Sequence, residues 1–138
     1  MRTFFDSSAL AKRYVQEKGS EAVEELCAKA SELAVSVICA PEIVSALNRR
    51  LRERFLSLRE YNEAKHYLLA DIQDAVVVNL TPSVVAASMQ VLEKNPVRAM
   101  DALHVACAQA WQADVFVSAD VRQLAAAKKT GLRTNPVG

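Results

Sequence analysis

Short apolar runs alternating with longer stretches of helical period constrain this chain more than any other feature of its sequence. The runs at 3–5, 33–37, 76–80 and 115–118 are bounded by polar or turn residues and rich in β-branched and aromatic side chains, the pattern of strands buried on both faces. A briefer run at 132–134 suits a fifth strand. Between them, residues 21–30, 41–54, 58–75, 82–93, 98–112 and 121–129 repeat apolar side chains at helical spacing. This alternation implies an α/β fold with a central parallel sheet of about five short strands and helices packed on both faces. Local punctuation agrees. Thr81-Pro82 is an N-cap followed by a proline at the first helical position, Ala40-Pro41 suggests the same start, and Gly131 after Lys128-Lys129-Thr130 suits a helix stop.

At 138 residues, with three glycines, four prolines, no Ser/Gly-rich linker and no internal repeat, the chain is expected to form a single domain over 1–138. A hydrophobic content of 51% against 24% charged residues excludes the composition of disorder. Seventeen basic against sixteen acidic residues leave a net charge of +1, so any attraction to nucleic acid must be local. Cys27, Cys39 and Cys107 are widely spaced and form no C-x-x-C pair, which leaves them as small core residues of a reduced protein. Arg2 and Asp6 interrupt the N-terminus before a signal-like apolar stretch develops, and no run approaches the length of a membrane span. The expected location is the cytoplasm, away from membranes.

In open parallel sheets, ligands collect beyond the carboxyl ends of the strands, so acids at strand exits carry the most information. Most of the sixteen acids, Glu21, Glu24, Glu25, Glu60 and Glu63 among them, sit on helices of mixed charge and read as solvated faces. Asp6, Glu42, Asp101 and Asp120 differ, because each lies in apolar surroundings where a strand or loop feeds a helix. Any one of them alone is explained as a helix cap. Together, a parallel sheet would gather them at one edge, where their mutual repulsion is relieved by protonation or by divalent cations. An all-oxygen ligand set favours Mg²⁺ or Mn²⁺, as two ions or as one ion with one acid protonated. Such a pocket suits metal-assisted phosphodiester hydrolysis. The chain has no G-x-S-x-G elbow, no G-x-x-x-x-G-K-[ST] loop and no G-x-G-x-x-G turn, which removes the commonest rival α/β chemistries.

The same residues resemble a known family. Asp6-Ser7-Ser8-Ala9-Leu10, then Pro41-Glu42-Ile43, then Arg98-Ala99-Met100-Asp101-Ala102-Leu103-His104, then Val117-Ser118-Ala119-Asp120 are similar, in order and spacing, to the motifs of PIN-domain ribonucleases, with VapC-type toxins of toxin-antitoxin pairs the nearest likeness. The resemblance implies that Asp6, Glu42, Asp101 and Asp120 form the catalytic, metal-binding quartet, with one or two Mg²⁺ or Mn²⁺ ions as cofactor. It implies that Ser118 gives polar support to the metal, water or phosphate, while Ser7 is either a similar support or a helix-cap neighbour. It further implies a toxin that hydrolyses structured RNA such as tRNA or rRNA, a cognate antitoxin whose tail covers the acids, and a homodimer.

Arg49, Arg50, Arg52, Arg54 and Arg59 form the densest basic stretch in the chain. They suit either phosphate backbone at the rim of the site, Arg49 and Arg50 foremost, or a solvated helix face paired with Glu53 and Glu60. His104, three residues after Asp101, reads as a packed group or a partner of a ligand before a general base. Tyr14, Tyr61, Tyr67 and Trp111 read as core or interface, since they do not interleave with basic residues as a base-stacking platform does. The apolar stripe of 58–75 suits burial against the domain or against a second subunit. The rival functions are a PIN-like binding module without catalysis and, more distantly, a phosphoacceptor receiver, which lacks here the adjacent acids after the first strand.

Overall fold

A computed structural model describes residues 1–138. Five strands, β1 (Arg2–Phe5), β2 (Glu32–Ser36), β3 (Val76–Val78), β4 (Val115–Ser118) and β5 (Thr134–Pro136), form one sheet in the order β3-β2-β1-β4-β5. Every neighbouring pair is parallel. Seven helices connect them: α1 (Ser7–Leu10), α2 (Ser20–Lys29), α3 (Cys39–Arg52), α4 (Leu58–Asp74), α5 (Pro82–Lys94), α6 (Ala99–Trp111) and α7 (Val121–Lys129).

The sheet is buried on both faces because successive side chains of a strand point to opposite sides. Phe4 lies opposite Ala34 and Phe116, and these three pack with Val84 and Val91 of α5, Val105 of α6 and Ala126 of α7. The neighbouring residues Phe5, Val35 and Val117 take the other face, with Leu10, Val23, Ile43, Leu47 and Leu68 from α1 to α4. Helix α4 docks through Ala64 and Leu68 and begins with a capping box in which Ser57 and Glu60 satisfy each other's main-chain N–H groups. Helix α5 begins as expected, with the Thr81 hydroxyl accepting from Val84 N–H and proline in the first turn. Gly131 closes α7 with a positive φ of +93°, which a glycine adopts without strain.

Strand order makes this edge special. From β1 the chain steps outward through β2 and β3, then crosses back to place β4 on the other side of β1. The connections leaving β1 and β4 therefore run to opposite faces of the sheet, α1 to one and α7 to the other, opening a crevice at the switch of direction.

Some expectations need correction. Pro41 is the third residue of α3, which begins two residues earlier at Cys39; the missing N–H still falls in the first turn, where N–H groups lack an intrahelical acceptor. The last strand occupies Thr134–Pro136 in place of 132–134, because Leu132 packs sideways into the core. The short α1 and the 3₁₀ turn Ala11–Arg13 are too brief to show a period in the sequence. Tyr67 belongs to no core, being 63% exposed, whereas Tyr14, Tyr61 and Trp111 pack against the two clusters. Cys39 and Cys107 are buried, Cys27 is half-buried, and none is paired. No helix is long and apolar enough to cross a membrane.

Candidate functional site

Asp6 follows β1 directly and caps α1 from an extended backbone, with Oδ1 accepting from Ala9 N–H at 2.9 Å. Its carboxylate is completely buried. The Ser8 hydroxyl lies 2.8 and 2.9 Å from its two oxygens, and Ser118 donates to Oδ2 at 2.6 Å. Burial pushes the Asp6 pKa above its ordinary 3.8, outweighing the opposing pull of Ser118, the His104 charge, Ala9 N–H and Ser8.

Ser118 ends β4, completely buried, and its Oγ also accepts from Asp120 N–H at 2.9 Å. One hydroxyl thus ties the exit of β1 to the exit of β4. Asp120 caps α7, its Oδ1 accepting from Arg122 N–H at 2.8 Å and Gln123 N–H at 3.2 Å.

The other two acids arrive on helices. Asp101, in the first turn of α6, accepts from Arg98 N–H at 3.3 Å and from the Gln123 side-chain amide at 3.0 Å. Burial first, and then the charges of Asp120 and Glu42, raise its pKa, against Arg98 N–H and the His104 charge. Glu42, in the first turn of α3, accepts from Ser7 Oγ at 2.6 Å and from His104 Nε2 at 2.5 Å. Burial alone would raise the Glu42 pKa, but His104 and Ser7 together hold it below 4.5. The contact places a proton on His104 Nε2, which donates to the carboxylate.

The four acids therefore meet at the switch-point edge. Asp6, Ser118, Asp120, Gln123 and Asp101 form one continuous chain of polar contacts. Ser7, Glu42 and His104 form a second, and His104 lies one turn beyond Asp101 on α6. As the side chains stand, no three His, Cys, Asp or Glu groups converge closely enough to hold an ion. Their oxygens are turned onto the internal donors just described. The donor set nevertheless fits a hard divalent cation, since it is all carboxylate and two members are pushed toward protonation, Asp6 by burial and Asp101 by burial and the charges of Asp120 and Glu42. A buried acceptor, Gln123 Oε1, also has no donor within the protein, so only water or a ligand can satisfy it.

Ser7 and Ser118, the two hydroxyls expected to support the site, both contact acids. The arginines divide. Arg50 pairs with Glu17 at 3.1 Å and Arg59 with Glu63 at 3.4 Å, in place of the expected Glu53 and Glu60, because Glu60 is occupied in capping α4. Arg49, Arg52 and Arg54 are exposed, and Arg49 stands two turns from Glu42 along α3, about 10 Å along the axis. Sequence reasoning missed Ser8 and Gln123. Ser8 is the second residue of α1, a helix too short to show which side its residues face, and Gln123 stands in the first turn of α7 with nothing in its surroundings to mark it.

A family model described as PIN domain matches residues 3–129. Among solved structures, a Pyrobaculum aerophilum protein shares 19% identity over 97% of this chain and 83% of its own, with a TM-score of 0.73. The Mycobacterium tuberculosis toxin VapC20, described as cleaving the sarcin-ricin loop, shares 19% identity over 90% of this chain and 94% of its own, with a TM-score of 0.70. A DNA-bound VapBC complex from Salmonella typhimurium matches at 14% identity over 100% of this chain and 99% of its own, also at 0.70. At these identities the likeness is one of fold. No curated protein matches the chain.

Proposed function

The chain belongs to the PIN domain family, and on that premise we propose that it is a Mg²⁺- or Mn²⁺-dependent endoribonuclease, the toxin of a toxin-antitoxin pair. One observation carries the reading: four acids from four separate elements lie at the switch-point edge, three of them linked through Ser118 and Gln123 and the fourth held by Ser7 and His104.

Asp6, Glu42, Asp101 and Asp120 are the residues that would hold metal, as one ion or two. Bound there, a divalent cation supplies Lewis acidity toward a phosphodiester and lowers the pKa of water. The chain's own contribution is preorganisation. Ser118 fixes Asp6 and Asp120 relative to one another, and Ser7 and His104 keep Glu42 ionised and aimed. Burial of Asp6 excludes water from the base of the site. Arg49 and Arg52, free of acid partners on the outer face of α3, suit the phosphate backbone approaching past Glu42, whereas Arg50 is committed to Glu17.

Structured RNA such as rRNA or tRNA is the proposed substrate, a choice favoured by the sarcin-ricin-loop cleavage named for the Mycobacterium tuberculosis neighbour. A cognate antitoxin is the proposed partner, supported by a neighbour solved as a toxin-antitoxin complex from Klebsiella pneumoniae and another solved as DNA-bound VapBC from Salmonella typhimurium. A homodimer of single-domain chains (1–138) acting in the cytoplasm completes the reading. The test is cleavage of a structured RNA with Mg²⁺, with chelator, and with Asp101→Asn. Metal-dependent cutting lost in a folded Asp101→Asn protein is expected. Cutting at the wild-type rate by that variant, or cutting indifferent to chelator, would overturn the proposal.

A further inference from the structure

The residue that holds two of the acids apart at a set distance is not itself an acid. Gln123 is 5% exposed and meets both Asp101 and Asp120, its main-chain N–H at 3.2 Å from Asp120 Oδ1 and its side-chain Nε2 at 3.0 Å from Asp101 Oδ1. Asp120 caps α7 and Asp101 sits in the first turn of α6, so this one residue spans two separate elements. The orientation of its amide is dictated by the neighbour: turned over, its carbonyl oxygen would face a carboxylate oxygen. In the orientation that pairs, Oε1 is left buried without a donor.

We propose that Gln123 is a positioning residue of the metal site, which sets the separation and aim of Asp101 and Asp120 and leaves Oε1 to accept a hydrogen bond from water brought in with the cation. The inference rests on the metal-dependent reading above and deepens it. A purely structural glutamine at this depth would satisfy both ends of its amide within the protein, as buried polar groups nearly always do. Gln123 satisfies the end that faces an acid and leaves the other open. Groups that orient a metal ligand without touching the ion change metal affinity or activity by about 10- to 100-fold when removed.

The experiment is calorimetric titration of the full chain with Mn²⁺, wild type against Gln123→Met, alongside thermal melting and RNA cleavage. Gln123→Met keeps length and apolar packing while removing both amide functions. The expected result is an Mn²⁺ affinity about 10-fold weaker, a lower kcat with KM for RNA within twofold, and a fold that still melts cooperatively. Gln123→Asn, which keeps the amide but withdraws it by one methylene, carries the same expectation and decides the matter if the methionine variant does not fold. Wild-type Mn²⁺ affinity and kcat in either folded variant overturn the assignment of Gln123 alone. No Mn²⁺ binding by the wild-type chain overturns the metal-dependent reading itself.

Discussion

Replacing Asp6 with asparagine should make the protein more stable while removing its activity. The side chain is completely buried, and its four hydroxyl and main-chain contacts do not overcome the penalty of burying charge, so its pKa stands above 3.8. Desolvation of a buried ion amounts to several kcal/mol, and a hydrogen bond to a charged acceptor returns about 1.5 to 3 kcal/mol, so the two nearly cancel. Asparagine keeps the shape and an acceptor for Ala9 N–H, and it removes the charge. Neutralising such a site typically gains on the order of 1 kcal/mol, or a rise of roughly 4 °C in melting temperature. The sign with pH follows from linkage. The folded chain holds a proton on Asp6 that the unfolded chain has lost, in the window from 3.8 up to the folded pKa, so wild-type stability falls as pH rises through that window. The advantage of Asp6→Asn should therefore be smallest near pH 4 and grow as pH rises. Mg²⁺ should reverse the order, since ligand at a hundredfold excess over its Kd stabilises by about 2.7 kcal/mol, and only the wild type retains the site. The assay is chemical denaturation from pH 4 to 8, with and without Mg²⁺. A variant less stable than wild type at pH 7 without metal, or a difference flat with pH, would refute the reasoning.

Arg49→Ala combined with Arg52→Ala should raise KM for RNA about 10-fold at unchanged kcat and reduce the salt dependence of binding by one to two phosphate contacts, roughly 0.7 to 1.5 in the log–log slope, whereas Arg50→Ala should do neither. Filter binding across a salt series reads this directly. In the core, Leu68→Ala should cost about 2 to 5 kcal/mol because Leu68 is completely buried on the docking face of α4. Loss of the capping box in Ser57→Ala should cost about 1 kcal/mol, both measured by denaturant unfolding.

Legibility in the sequence followed the range of the signal. Strands such as Phe4-Phe5 and Val115-Phe116-Val117 were visible because a strand buried on both faces is apolar at every position, and the long α4 because many turns repeat its stripe. A four-residue helix such as α1 offers no period, so the turn that brings Ser7 to Glu42 and Ser8 to Asp6 went unread. The acids themselves were conspicuous as charges in apolar surroundings at element boundaries. What was invisible is how they are held. Gln123 meets Asp101 across 22 positions of sequence, and Ser118 meets Asp6 across 112, contacts that exist only after the sheet has formed. The pairing of Arg50 with Glu17 was hidden for the same reason.

The central claim, that the acids at the exits of β1 and β4 act as one metal-binding unit, is tested most directly by anomalous diffraction from crystals soaked in Mn²⁺. The account predicts a peak bonded to Asp6 and to at least one of Asp101 and Asp120. A peak confined to other residues, or none at saturating Mn²⁺ in crystals whose acids remain accessible, contradicts it.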